Sequence, residues 1–306
     1  MTDLLIVSGE ALWPAVHGGR IRAAGMAEAL AGRFSVRVAA PVEGGVPTGV
    51  DIGVDALPDE EPVPRLVAVA SPQPRLGRAL LGPRRSRALL QAVADHRPRA
   101  VLFVNGYLAA AAPSIDRPTV VDFHDVEVRR GRSLAAAGSG GRRRARAAAA
   151  LESVKAQWWE PVEARRSAAV SATTADDVAL LASWGARAVL VGHGSSASPL
   201  PASPGDGPVT LLAGLGYGPN RAAARWVLDE VWPRLRAGAG PGLRLRIVGR
   251  GAEAAVRTVA PEGVEVVGDP DDVEPFYRKA SVVLAPVTAG GGAQVKVTEA
   301  LARARV

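Results

Sequence analysis

The sequence predicts an α/β protein made of two parallel-sheet units. Short apolar runs alternate with longer amphipathic stretches along most of the chain, which is the pattern of βαβ units. Residues 194–208, GSSASPLPASPGDGP, break that alternation with a Pro-, Gly- and Ser-rich stretch that has no apolar periodicity, and the alternation then restarts. A length of 306 residues also favours two domains over a single core.

In order, the expected strands of the first unit are Leu4–Val7, Ser35–Ala40, Ala100–Val104, Thr119–Phe123, Ala168–Ala172 and Ala188–Val191. Amphipathic stretches at Ile21–Ala31, Arg84–Asp95 and Leu151–Arg166 supply helices between them. The second unit is expected to hold strands Val209–Ala213, Leu243–Val248, Val264–Val267 and Val282–Ala285, with helices over 220–237 and from Val295 onward. The domain expectation is therefore 1–193, a linker at 194–208, and 209–306. The arginine-rich stretch 129–146, RRGRSLAAAGSGGRRRAR, reads as a second irregular segment. It suits either a solvated loop or a patch for an acidic lipid surface or charged acceptor. No aromatic residues interleave with its arginines, which argues against nucleic acid.

Composition narrows the function further. Apolar residues make up 48% of the chain, enough for packed cores and against disorder. A net charge of +7 suits anionic partners. With no cysteine, thiolate metal sites and disulfides are excluded, and a reducing cytoplasm is the simplest setting. The start, MTDLLIVSGEALW, lacks the basic region and long apolar core of a signal peptide, so a cytoplasmic protein is expected.

Two strand–glycine loop–helix junctions carry chemistry. LLIVS leads through PAVHGGR into IRAAGMAEAL, and VTLLA leads through GLGYGPN into RAAARWVLDEV. Glycines let a ligand approach the backbone, and a helix N-terminus offers unpaired amides at its positive end. Neither junction is a GxGxxG or GxxxxGK[ST] motif, so dinucleotide dehydrogenases and P-loop NTPases lose support. Ordinary glycine turns remain an equal reading of each alone. A third stretch, TAGGGAQVKVTEALARA, sets Gly290 to Gly292 before a helix with Lys296 and Glu299. Amides suit a diphosphate and a carboxylate one turn on suits sugar hydroxyls, a combination that fits a nucleotide sugar.

The sequence resembles the GT-B glycosyltransferases of the group 1 type, which retain anomeric configuration and use nucleotide-sugar donors. The resemblance rests on the GGxxR loop at Gly18, VVDFHDVEVRR at 120–130 and YGPNRAAARWVLDEVWPRL at 217–235. It continues through LRIVGRG at 245–251 and VEVVGDPDDVEPFYRKASVVLAP into GGGAQVKVTEALA. It implies two Rossmann-like domains facing across a cleft, with the donor held by the C-terminal one, and hinge closure around 194–208. Glu299 would pair with the ribose hydroxyls, and the amides from Gly292 through Gln294 to Val295 would receive the distal phosphate. Gly18 and Gly19 would close over the diphosphate or the transferring sugar, Arg20 would face the cleft or acceptor, and Arg250 would sit near the base and phosphate. His124 would lie beside the donor sugar in the catalytic role.

Departures accompany the resemblance. Many relatives have a second Glu eight positions before the last-helix Glu, where this chain has Gly291. Relatives often show an Arg and a Lys after the first strand of the second domain. Here GYGPNRA leaves Asn220, Arg221 and Lys296 as the polar candidates. The family continues past the equivalent of Val306, which implies a truncated second sheet.

Bland readings stand beside these roles. His124 could be a structural His bonding Asp122 or Asp125. His17 could be an exposed loop His, and His193 reads as structural. Asp122, Asp125 and Glu127 alternate along an expected extended segment, which splits them between faces and argues against a metal. Trp158 and Trp159 read as packing residues. The expectation is thus a metal-independent hexosyltransferase with no cofactor besides its nucleotide-sugar co-substrate. Its acceptor would be a saccharide, lipid-linked or small molecule, with peripheral contact of 129–146 with the inner membrane face. A non-catalytic nucleotide-sugar-binding protein and a nucleotide-sugar epimerase are the alternatives.

Overall fold

The computed structural model describes residues 2–64, 67, 70–136, 143–256 and 259–305. Two compact units emerge. The first comprises Met1–Arg132, Gly141–His193 and Gly291–Ala293; the second comprises Ser133–Gly140, Gly194–Gly290 and Gln294–Val306.

In the first unit the strands are β1 (Leu4–Val7), β2 (Val36–Ala40), β3 (Ile52–Ala56), β4 (Ala100–Val104), β5 (Thr119–Phe123), β6 (Ala169–Ala172) and β7 (Ala188–Leu190). They form one parallel sheet in the order β3-β2-β1-β4-β5-β6-β7. Side chains alternate between its faces. Leu5, Val7, Phe103, Val121 and Phe123 enter one core; Ile6, Val38, Leu102 and Val104 enter the core on the opposite face. The order reverses between β1 and β4, the place where ligands bind in open α/β sheets.

In the second unit β8 (Val209–Leu212), β9 (Leu245–Gly249), β10 (Val264–Gly268) and β11 (Val282–Leu284) form a parallel sheet in the order β10-β9-β8-β11. Its main core gathers Leu211, Leu215, Ala224, Trp232 and Ile247. Residues 200–201 fasten to the end of the chain: Leu200 N–H donates to Arg303 O (3.1 Å), and the buried Arg305 donates to Pro201 O (2.8 Å) and Tyr277 O (2.9 Å).

Several sequence expectations need correction. Strand β3 was not expected. IGVDA lacks a continuous apolar run because Gly53 and Asp55 interrupt it, and the pairing with β2 together with the Arg37–Asp55 ion pair (2.9 Å) supply what propensity does not. The stretch 129–146 is not simply irregular. A helix covers Glu127–Ala136 and another covers Arg143–Arg166, while 137–142 lie outside the described residues. Strand β5 ends at Phe123 and a helix begins at Glu127, so the Asp122–Glu127 segment is not extended throughout. The helix expected over 220–237 runs Gly218–Trp226, then a π-helical turn Val227–Val231, then Trp232–Ala239. Pro233 cannot donate a backbone hydrogen bond, which explains the change of winding just before it. Trp159 packs on the core as expected, but Trp158 is 76% exposed.

Candidate active site

In the first unit the site grows from the carboxyl ends of β5 and β6. Val121 and Phe123 bury themselves on one face, so Asp122 must point to the other, toward the helix Gly18–Ala31. Asp122 is fully buried and stands opposite Ser171 in the strand register. Its Oδ1 accepts from Ser171 Oγ (2.6 Å) and Arg22 Nη2 (2.6 Å), and its Oδ2 accepts from Arg22 Nε (2.7 Å). Burial opposes its ionisation, but the Arg22 guanidinium and His124 outweigh that and hold the carboxyl well below the usual carboxylate range. Arg22 is itself fixed by Val191 O (2.8 Å) and Gly192 O (3.0 Å).

His124 follows β5 directly. Its Nε2 lies 3.0 Å from Asp122 Oδ2, so the structural partner expected for it is Asp122. Nε2 is buried and makes no hydrogen bond of good geometry, so the pair is an electrostatic contact. Nδ1 faces the glycine loop: a Cβ placed on Gly19 would sit 3.9 Å from it. The first unit thereby brings Gly19 and His124 close together. Arg20 is committed to Glu43 through a two-pronged pair (2.5 and 2.7 Å). His17 occupies the N-cap position of the same helix without a side-chain capping bond, and its Nε2 lies 3.3 Å from Glu10 Oε2.

Gly291–Ala293 also belong to this unit. Thr173 Oγ1 donates to His124 O (3.2 Å) and accepts from Ala293 N–H (3.0 Å). Gly292 has φ +62°, and a Cβ there would press on Asp125 Oδ1 and His124 O at 2.5 Å each. At Gly291 a Cβ would lie 3.0 Å from Asp125 Oδ1 and 3.1 Å from Arg130 Cβ. His193 is half-buried, and burial, then the Arg22 charge, push its imidazole down to about 4.

In the second unit a Cβ at Gly214, Gly216 or Gly218 would meet nothing within 4 Å, so open space adjoins the loop after β8. Helix side chains strap that loop: Asn220 Nδ2 donates to Gly214 O (2.9 Å) and Arg221 Nη1 to Leu215 O (3.1 Å). The loop after β9 lies alongside, with Leu215 N–H donating to Arg250 O (2.8 Å) and the Arg250 side chain exposed. Gly249, at φ +139°, brings its backbone so close to Ala213 that a Cβ would collide with Ala213 O.

Gln294 precedes the helix Val295–Ala302; Val297 N–H donates back to Gln294 O (3.0 Å), which leaves the Val295 and Lys296 amides at the helix opening. Lys296 Nζ donates to Asn220 Oδ1 (2.7 Å), and burial pushes its ammonium down to about 8. One turn on, Glu299 Oε2 accepts from Tyr277 Oη (3.3 Å). Burial pushes the Tyr277 phenol well above its ordinary value, so it stays a donor. Asn220, Lys296, Gln294, Val295 and Glu299 thus share one corner of the second unit, with Arg221 on the neighbouring helix and Arg250 on the loop after β9.

Sequence reasoning passed over Arg22, Ser171, Thr173 and Tyr277. Arg22 left a signal, as the arginine that ends the GGxxR motif three residues beyond Gly19. The others show none, since a buried hydroxyl declares its partner only in the fold. Among the described residues, no group of three His, Asp or Glu is arranged to hold a metal ion. No helix there is long and apolar enough to cross a membrane.

Two parallel α/β sheets with glycine loops at their strand ends define the GT-B fold class, and solved structures bear this out. Sucrose-phosphate synthase from Thermosynechococcus elongatus superposes with a TM-score of 0.66 at 15% identity, covering 98% of this chain and 79% of that one. A Medicago truncatula protein solved with UDP-glucose gives 0.54 at 14% identity, covering 92% and 75%. A UDP-glucosyltransferase from Polygonum tinctorium gives 0.51 at 13%, covering 92% and 74%. More particularly, residues 207–306 match the family model for glycosyl transferases group 1. No curated protein sequence matches the chain.

Proposed function

We propose that the protein transfers a sugar from a nucleotide-diphosphate sugar to a saccharide, lipid-linked or small-molecule acceptor, with retention of configuration and without a resident metal. The observation that carries this reading is the corner at the helix Val295–Ala302, inside the segment that matches the family. There the Lys296 side chain and the Val295 and Lys296 amides at the helix opening suit a diphosphate, and Glu299 suits ribose hydroxyls. Two proteins of the same fold, one solved with UDP-glucose and one named as a UDP-glucosyltransferase, support the donor class.

Breaking the bond from sugar to phosphate leaves negative charge on the departing diphosphate. Oriented amides, Lys296 and Arg221 can stabilise that charge as it develops. Retention follows from the resemblance: the departing phosphate oxygen takes the acceptor hydroxyl's proton on the face from which it leaves. His124, held by Asp122, orients the donor sugar through Nδ1, and the Gly18–Gly19 amides approach the diphosphate. Arg20 serves the acceptor only by sharing or leaving its bond with Glu43.

The test is Glu299→Ala assayed against UDP-, GDP- and TDP-sugars, with circular dichroism to verify folding. Loss of a charged hydrogen bond lowers donor affinity by about tenfold to a hundredfold, and transfer falls with it. Full retained activity overturns the donor assignment. Donor binding in the parent protein without turnover identifies a binding protein instead, and an isomerised donor formed without acceptor identifies an epimerase.

A further inference from the structure

A phenol stands among charged groups that follow three different strands of the first sheet. The helix Gly106–Ala111 carries Tyr107 past the end of β4, Glu10 follows β1, and Asp125 and Glu127 follow β5. These strands adjoin the point where the sheet order reverses. Tyr107 is largely buried, and its hydroxyl makes no hydrogen bond to any described residue. Burial first, then the carboxylates of Glu10, Glu127 and Asp125, push the phenol well above its ordinary value, so it remains a donor. Asn105, two residues before it, is held at φ +88° and its side chain caps no helix amide. Strain of that kind persists where the surrounding fold imposes it, commonly at binding sites.

The three carboxylates differ in what they hold. Glu10 stands against His17 (3.3 Å), and Glu127 accepts from Arg130 Nε (3.0 Å). Asp125 makes no hydrogen bond or ion pair with any described residue. Its Oδ1 faces the backbone of Gly291, where a Cβ would lie 3.0 Å away. Burial pushes its carboxyl up, against the opposing pull of the Arg130 and His124 charges. A carboxylate withdrawn from water without a partner costs stability, so folding does not account for its place. The arginines nearby are engaged already: Arg20 by Glu43, Arg22 by Asp122 and Arg130 by Glu127. The whole chain carries +7, yet an anionic group arriving here meets an unpartnered carboxylate and three arginines that are already paired.

We infer that Tyr107 and Asp125 bind the hydroxyls of an uncharged sugar ring, the phenol donating to one hydroxyl oxygen and the carboxylate accepting from another hydroxyl. This rests on the proposed sugar transfer: the ring belongs to the acceptor, beside the His124 assigned to the donor sugar. The pair selects a neutral saccharide over phosphorylated or other acidic acceptors, because Asp125 repels an anion and satisfies a hydroxyl.

The experiment is saturation-transfer NMR with methyl glucoside, methyl mannoside and methyl galactoside, each compared with the 6-phosphate of the same sugar. The parent protein binds at least one neutral glycoside, and binds its phosphate more weakly. Asp125→Asn weakens the neutral glycoside by about tenfold, and Tyr107→Phe by about threefold to tenfold. Neither group holds a protein partner, so both variants melt at or above the temperature of the parent. Absence of glycoside binding by the parent, phosphates bound as well as the neutral sugars, or equal binding by Asp125→Asn overturns the proposal. So does a lowered melting temperature in Asp125→Asn, which would assign the carboxylate to the fold. Calorimetry of the parent with UDP, GDP and TDP tests the donor reading separately. Nucleotide binding without glycoside binding sinks this inference alone, and glycoside binding without nucleotide binding sinks the donor reading while the sugar seat stands.

Discussion

Asp122 concentrates more of the site than any other single residue. Its two oxygens hold Arg22 and Ser171, and His124 stands against the same carboxylate. Asp122→Asn keeps the shape but leaves the buried guanidinium facing an amide. Breaking a buried pair in this way costs about 3–5 kcal/mol, read as a lowered midpoint in urea unfolding. The sequence exposed Asp122 and His124 as neighbours, but Arg22 lies a hundred residues away in the chain and its role is invisible without the fold. Lys296 carries a second prediction. Its ammonium loses its proton at about 8, so the cation exists below that pH and disappears above it. Nucleotide diphosphate affinity therefore falls as pH rises through about 8. Lys296→Gln binds about tenfold more weakly at neutral pH and loses the pH step, measured by calorimetry.

Among elements, the short helix Ala175–Ser183 shows how local chemistry and position work together. Thr174 caps it by accepting from Asp177 N–H (3.1 Å), and Thr173 beside it links His124 to Ala293. Thr174→Ala removes the cap and lowers stability by about 1 kcal/mol, measured by chemical denaturation. Elements with an apolar run were legible in the sequence: β1, β4 and β5 fall where expected because their residues are buried on both faces. Strand β3 was not, since its pairing and the Arg37–Asp55 bond lie in tertiary context. Helices were found but misjudged in extent, as with Arg143–Arg166. Its alanine- and arginine-rich first turns have helix-forming residues but no amphipathic period to announce them.

At the scale of the molecule, stability responds to acid through buried groups. His193 has its folded pKa depressed to about 4 from an ordinary 6.5, because burial and the Arg22 charge penalise its protonation. The unfolded chain takes up that proton first as pH falls, so stability drops between about pH 6.5 and 4. Asp122, also depressed, adds its loss only below the ordinary aspartate range. A thermal melt series shows the first decline, and His193→Asn flattens it. The sequence by itself determined the α/β class, the positions of most strands and the glycine loops, because burial and backbone freedom leave local signatures in residue type. Only the tertiary structure decided that Asp122 meets Arg22, that Lys296 is held by Asn220, and that Trp158 faces outward while Trp159 faces in. Those outcomes depend on which side chains the fold brings together and which it leaves uncovered. Hydrogen bonds between residues far apart in the chain are encoded in no stretch of it.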